Sequence, residues 1–162
     1  MRNTIICLSL AFLPLQNTAQ SKEQSNKHFW NTVKTSAEPE KIWGIWTDIA
    51  NWKKWDSGLK DASLNGPFQL KAKGKIISLE GRTSRFKVTE FNPGISYTFK
   101  TNLPLGALHV KRYLQVKQGV TFFTHEVWFT GLTGGIFAKQ FGPEFRSLLP
   151  EVMEKIKKLA ED

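Results

Sequence analysis

The chain has 162 residues, of which 40% are hydrophobic and 23% charged, a balance typical of one globular domain and not of a disordered chain. A single Cys and three His exclude a disulfide scaffold and a zinc ribbon. The net charge of +9 at pH 7 favours anionic partners such as a membrane surface, a cell-wall polymer or an acidic ligand.

The first residues predict a secretory signal peptide. Arg2 supplies a positive charge, residues 4–15 form an apolar run, and Ala19 is a small residue suited to cleavage. The run is shorter than the ~20 residues that a membrane span needs. We expect a signal peptide over residues 1–19, with a buried N-terminal helix as the alternative interpretation.

The chain that remains after cleavage begins with a polar segment. We expect a flexible lead-in over residues 20–27 and a single domain over residues 28–162. Cys7 is removed with the peptide, which suits an oxidising compartment. The protein is therefore predicted to be secreted or periplasmic, without nucleic acid as a partner, and contact with an anionic membrane surface is an open alternative.

The domain opens with a strand and two short helices. Residues 28–36 alternate as a first strand does, and Pro39 marks the start of a helix. That helix has an apolar face of Ile42, Trp43, Ile45 and Trp46. Asp48 predicts the cap of a second short helix that runs through Trp52 and Trp55.

Strands and turns fill the middle of the chain. Apolar residues alternate with Gln and Lys over 68–76, and a second strand covers 82–91. The turn at 92–94 precedes a strand whose inner face is predicted to hold Ile95, Tyr97, Phe99, Thr101 and Leu103. The following strand is predicted to place Leu108, Val110, Arg112, Leu114 and Val116 on one face, and the last strand covers 120–130.

The C-terminal block predicts one long helix over residues 132–162. Its apolar stripe consists of Phe137, Phe141, Phe145, Leu148, Leu149, Val152, Ile156 and Leu159, and Pro150 is expected to kink it. This order of elements predicts an α+β helix-grip fold, in which about six or seven antiparallel strands curve around the helix. A cavity between sheet and helix is the expected ligand site.

Several segments resemble the SRPBCC superfamily, which includes START-related lipid-transfer domains and polyketide cyclase/dehydrase-like proteins. Residues 37–43 (AEPEKIW) and 47–56 (TDIANWKKWD) are similar to its opening helices. Residues 86–93 (FKVTEFNP) and 121–131 (TFFTHEVWFTG) resemble two of its strands. The resemblance implies a helix-grip fold whose cavity serves binding, transport or one of several reactions.

Two polar residues interrupt the predicted inner faces. His125 shares its face with Phe123 and Phe129, where it would contact a ligand or act as an acid/base, unless a neighbouring hydroxyl or backbone group satisfies it. Arg112 needs a partner if buried, either an acid such as Glu90 or an anionic ligand head-group.

The sequence therefore predicts the binding or transport of a hydrophobic small molecule or lipid in a cavity between the sheet and the C-terminal helix. The expected ligand contacts are Phe68, Phe86, Tyr97, Phe99, Arg112, Phe123, His125, Phe129, Phe145 and Leu149. One alternative is a cyclase/dehydratase-like enzyme that uses His125 or Tyr97 as acid/base, and another is a partner-binding module with a filled core. No phosphate loop or metal-ligand pattern is found, so no cofactor and no metal are predicted.

Overall fold

The computed structural model describes residues 23–162, so the predicted signal peptide at 1–19 lies outside the described residues. The elements are β1 (His28–Thr35), α1 (Pro39–Thr47), a 3₁₀ helix (Ile49–Lys54), β2 (Leu59–Leu64), β3 (Lys73–Ser78), β4 (Thr83–Asn92), β5 (Ser96–Leu103), β6 (Gly106–Lys117), β7 (Val120–Gly131) and α2 (Gly134–Glu161). Among the described helices, none is long and apolar enough to cross a membrane.

The strands form one antiparallel sheet in the order β1-β7-β6-β5-β4-β3-β2. Consecutive strands pair with each other from β2 to β7, and the first strand joins the sheet beside the last. Helix α2 packs on β1, β7 and β6, while the 3₁₀ helix contacts β2 at the other edge. The predicted α+β helix-grip architecture, with two short helices after the first strand, is confirmed.

The predicted strand over residues 68–76 is wrong in its first half. Residues 65–72 form a loop, and the strand begins only at Lys73. Lys71 has a φ of 69°, which is incompatible with an extended strand. Phe68 instead reaches inward from the loop, where its ring packs edge-on against Tyr97 with 4.7 Å between the ring centroids.

Two residues expected on the inner faces are exposed. Ile95 belongs to the turn before β5, since its N–H donates to the carbonyl of Asn92, and it is 60% exposed. Val116 lies near the end of β6, beside the hairpin turn at Gln118, and is also exposed. The inner faces are therefore shorter than the alternating pattern predicts.

The first half of α2 buries small residues most completely, while Phe137 and Phe141 are half-buried against the core. Gly134, Ala138 and Gly142, spaced four apart, are buried. Phe145 is 37% exposed and stacks on Phe141, outside the core. The helix continues through Pro143 and Pro150. Its second half buries Leu149, Val152 and Ile156 as the pattern predicts, together with Met153, whereas Leu159 is 42% exposed. Small side chains let the helix axis approach the sheet closely, which moves the larger rings to its sides.

Gly142 lies where α2 meets the segment before β1. A Cβ atom at this position would stand 2.4 Å from the carbonyl oxygen of Asn26. Part of the predicted lead-in is thereby held in place, and Ser25 also forms a bridge with His28.

The substitution Gly142→Ala is expected to lower the free energy of unfolding. At a solvent-exposed helix position the same change would raise it by up to ~1 kcal/mol, because alanine has the higher helix propensity. The loss at Gly142 comes from the clash with backbone at Asn26, which cannot move as a flexible side chain would. Chemical denaturation measures the change. Gly135→Ala is the control, because nothing lies within 4 Å of the Cβ atom that it adds. Equal stability of the two variants would contradict the close approach.

Candidate functional site

Three of the predicted site residues lie side by side across the middle of the sheet. The register pairs Tyr97 of β5 with Arg112 of β6, and Arg112 with His125 of β7. Residues paired in this way project from the same face of a sheet. All three side chains are buried, Arg112 with only 2% exposure.

The guanidinium of Arg112 is held by hydrogen bonds to both neighbours. Its Nη1 donates to the hydroxyl of Tyr97, and its Nε donates to Nε2 of His125. The Tyr97 hydroxyl donates in turn to the carbonyl oxygen of Trp46 at 3.2 Å, which also accepts the indole N–H of Trp52 at 2.9 Å. Trp46 lies in the last turn of α1, where carbonyl groups lack helical partners. The end of α1 is thus connected to Arg112 by two hydrogen bonds that pass through the Tyr97 hydroxyl.

Aromatic rings complete the surroundings of Arg112. Its Cζ lies 4.4 Å from the ring centroid of Trp52 and 4.8 Å from that of Trp55. The rings of Tyr97 and Phe99 follow at 5.6 Å. These distances suit cation–π attraction, which strengthens when water is excluded. We call Arg112 with its surrounding residues the Arg112 cage, which comprises Trp52, Trp55, Tyr97, Phe99 and His125.

No carboxylate of residues 23–162 forms an ion pair with Arg112. Glu90, the acid that the sequence suggested, instead accepts hydrogen bonds from Thr98 and from Lys111. Asp56 is the carboxyl group that Arg112 influences: burial raises the pKa of Asp56, and the charge of Arg112 opposes that rise. The cage therefore surrounds a cation whose direct partners are neutral.

Burial sets the protonation of the two polar neighbours. Burial, and then the charge of Arg112, hold the pKa of His125 well below 6.5, so that the imidazole is neutral. Because its Nε2 accepts from Arg112, the proton of the neutral ring belongs on Nδ1. Burial raises the pKa of Tyr97 to about 12, so its hydroxyl stays protonated.

Three buried polar atoms near the cage have no hydrogen-bond partner among the described residues. They are Nδ1 of His125 and the indole Nε1 atoms of Trp46 and Trp55. Both indoles lie beside His125, with ring centroids 6.5 and 6.3 Å away. Buried polar groups are normally paired, so each of these donors is able to serve an oxygen acceptor that the protein itself does not supply.

The remaining predicted contacts divide into those near the cage and those away from it. Phe86 stacks on Trp52, and Phe123 packs edge-on against Trp46, while Phe129 is buried further along β7. Phe68 covers Tyr97 from its loop, whereas the exposed Phe145 does not join the cage. Leu149 is buried on α2 and faces a different pocket, described below.

The space around Arg112, where the sequence predicted a cavity, is filled by the cage rings. Two open pockets lie elsewhere, and neither is lined by a residue of the cage. The loop pocket, about 300 Å³, is lined by Asn65, Pro67, Gln69, Leu70, Lys71, Ala72 and Lys73. The edge pocket, about 240 Å³, is lined by Gln24, Phe29, Trp30, Asn31, Arg146, Leu149 and Pro150.

The sequence pattern placed Trp52 and Trp55 on a short helix and did not assign them to the site. They prove to be the rings nearest to Arg112. Their spacing of three residues around a short helix was the available signal, but it does not reveal which strand they face. Within residues 23–162 no group of three His, Cys, Asp or Glu side chains is placed to hold a metal ion.

Tyr97→Phe is expected to lower the free energy of unfolding by about 1–3 kcal/mol, because an N–H of the buried Arg112 loses its acceptor. Urea denaturation measures the change, with Tyr113→Phe as the control. Tyr113 is half-buried on the opposite face of β6, so its variant should stay within about 0.5 kcal/mol of the parent. Equal effects in the two variants would show that the Tyr97 hydroxyl does not support Arg112.

The pKa of His125 predicts how stability depends on pH. Below pH ~6.5 the unfolded chain binds a proton at His125 that the folded protein does not, so stability falls as the pH falls through this range. His125→Gln should flatten that part of the profile. Thermal unfolding between about pH 7.5 and pH 5 measures this. Both proteins carry Asp56→Asn, because the raised pKa of Asp56 would by itself make stability rise as the pH falls. Parallel profiles with and without His125 would contradict its burial as a neutral ring.

Comparison with known proteins identifies the family. The model of the family described as polyketide cyclase / dehydrase and lipid transport matches residues 28–161. A comparison with curated proteins found no match.

Solved structures share the fold. A protein from Helicobacter pylori matches with a TM-score of 0.69 and 9% identity, over 97% of this chain and 99% of that one. A protein from Chromobacterium violaceum matches with a TM-score of 0.63 and 15% identity, over 85% of this chain and 99% of that one. DynU16, from the dynemicin biosynthetic locus, matches with a TM-score of 0.62 and 14% identity, over 82% of this chain and 46% of that one. At these identities the similarity shows the fold alone, and the family follows from the match to its model: the chain belongs to the polyketide cyclase / dehydrase and lipid transport family, a family of the SRPBCC type.

Proposed function

We propose that the protein binds a hydrophobic small molecule or lipid whose polar end, a carboxylate or carbonyl oxygen, is held at the Arg112 cage. The family fold supports a ligand-binding or cyclase-like role. The observation that carries the finer proposal is the buried guanidinium of Arg112, which has no carboxylate partner among residues 23–162. Burying a charge is costly unless it is paired, so an incoming anionic oxygen gains a strong interaction there.

The cage has donors left for such an oxygen. Two of the five N–H groups of Arg112 are used, by Tyr97 and His125. The Nδ1 of His125 and the indole Nε1 of Trp55 add two buried donors without partners among the described residues. The surrounding rings supply apolar surface for the body of the ligand.

Entry requires a side chain to move, and Phe68 is the one that the structure favours. It lies on the irregular loop over residues 65–72, is only half-buried, and covers Tyr97 at a ring distance of 4.7 Å. The loop pocket lies on the same segment. Displacing Phe68 would expose the Tyr97 edge of the cage without breaking a strand.

The test compares a fluorescently labelled long-chain fatty acid with its methyl ester. The protein is expected to bind the acid roughly tenfold more tightly, as a charge-assisted hydrogen bond predicts. Arg112→Gln should remove this preference and leave the affinity for the ester nearly unchanged. Arg146→Gln, which alters the exposed arginine of the edge pocket, should behave like the parent protein.

Each other result of this titration rejects part of the proposal. Loss of the preference in Arg146→Gln would move the ligand to the edge pocket. Failure of the parent protein and of Phe68→Ala to take up either probe would favour the partner-binding module with a filled core.

A cyclase/dehydratase-like activity is the second candidate, favoured by the Nδ1–H of His125 beside Arg112, which has no hydrogen-bond partner among the described residues. The neutral ring would donate its Nδ1–H to the oxygen of a bound carbonyl compound and polarise that carbonyl, because its Nε2 already accepts from Arg112. The Tyr97 hydroxyl is the weaker candidate, because with its pKa raised to about 12 it stays protonated and it already donates its hydrogen to the carbonyl of Trp46. Native mass spectrometry of the protein after incubation with an organic extract of its source cells separates the two functions, because it compares the mass of the bound molecule with the mass of any molecule released. An unchanged bound molecule supports binding, whereas release of a product lacking one water supports the enzyme.

A further inference from the structure

The outer face of the sheet carries a row of like charges across three strands. The register pairs Lys73 of β3 with Lys87 of β4, and Lys87 with Lys100 of β5. Lys75 and Arg85 form a second pair two residues along the same strands. We call these five residues the basic face. All are exposed except Lys100, which is half-buried.

Like charges directly opposite each other destabilise a sheet. Opposite charges nearby would relieve the repulsion, yet within residues 23–162 no member of the basic face forms an ion pair. The acids of the outer face lie elsewhere: Glu90 pairs with Lys111, and Glu126 pairs with His28. The repulsion is therefore left for something outside the chain to neutralise.

Exposed leucines stand at both ends of β3, the strand that carries two of these lysines. Leu70 precedes it and is 48% exposed, and it lines the loop pocket together with Lys71 and Lys73. Leu79 follows the strand and is 61% exposed. Lysines next to exposed aliphatic side chains suit an interface between water and lipid, where the charge meets phosphate and the leucine enters the acyl region.

We propose that the basic face docks the protein on an anionic phospholipid bilayer, with Leu70 and Leu79 in contact with the lipid. This goes beyond ligand binding at the Arg112 cage and does not depend on it. The residues two positions along the strands from these charges, Ile77, Thr83 and Asn102, are not aromatic either, so the face offers no ring on which a base could stack, which disfavours single-stranded nucleic acid as the partner. Compact lysine charges attracted to a negatively charged surface match a bilayer instead.

The test is co-sedimentation of the predicted mature chain, residues 20–162, with vesicles of phosphatidylcholine and phosphatidylglycerol, compared with pure phosphatidylcholine vesicles. The triple variant Lys73→Gln, Lys75→Gln, Lys87→Gln is expected to lose roughly a hundredfold in affinity for the anionic vesicles at low salt. The same variant should unfold at a higher temperature than the parent, because three pairs of like charges are removed.

A matched control changes the same net charge elsewhere. Lys54→Gln, Lys139→Gln, Lys158→Gln neutralises three exposed lysines outside the basic face, none of them ion-paired within the described residues. It should bind the anionic vesicles within a few-fold of the parent.

Three outcomes would overturn the proposal. One is absence of binding by the parent protein to the anionic vesicles. Another is an equal loss in the two triple variants, which would reveal a general charge effect. The third is tight binding to duplex DNA or heparin with none to vesicles, which would assign the basic face to a soluble polyanion. Because the fatty-acid titration is done without vesicles, failure here leaves the Arg112 proposal standing.

Discussion

The interior of this protein is organised around one desolvated charge. A guanidinium removed from water needs hydrogen bonds and polarisable neighbours, or the folded state pays the full cost of dehydrating it. Arg112 obtains them from four different parts of the chain. Neighbouring strands supply Tyr97 and His125, the 3₁₀ helix and the residue after it supply two indole rings, and the last turn of α1 joins through Tyr97.

This dependence explains why the two short helices lie where they do. The carbonyl of Trp46 accepts hydrogen bonds from Tyr97 and from Trp52, so the end of α1, the 3₁₀ helix and the sheet share one acceptor. An alternative position of either helix would leave buried donors unpaired. The polar cluster thus selects one packing arrangement among those that apolar contacts alone would allow.

Neighbouring residues of β6 serve opposite sides of the sheet. Arg112 points into the cage, while Lys111 beside it pairs with Glu90 on the outer face. The period of two in a strand places a buried cation and an exposed cation next to each other in sequence. A ligand site within the sheet and a docking face outside it are therefore compatible on the same few strands.

The alternating pattern and the helical stripe predicted the fold class, five of the six strands in the middle of the chain and the inward direction of Arg112 and His125. What the pattern could not provide was register, because pairing of Tyr97, Arg112 and His125 depends on the hairpin turns at both ends of β6. The loop at Lys71 was missed because a positive φ at a lysine leaves no mark in the alternation of residues. Phe145 was misplaced because hydrophobicity alone does not show that α2 meets the segment before β1 through Gly142, at Asn26.

The position of β1 has a consequence for how the chain reaches this structure. His28 and Glu126 lie 98 residues apart in sequence and yet are in direct contact, since the first strand pairs only with the last. Closing so long a loop has an entropic cost that no local contact offsets beforehand. Strands β2 to β7, joined by consecutive hairpins, are able to assemble early, whereas β1 must wait for β7. Folding should accordingly be slow for a domain of this size, with the docking of β1 and α2 as its late step.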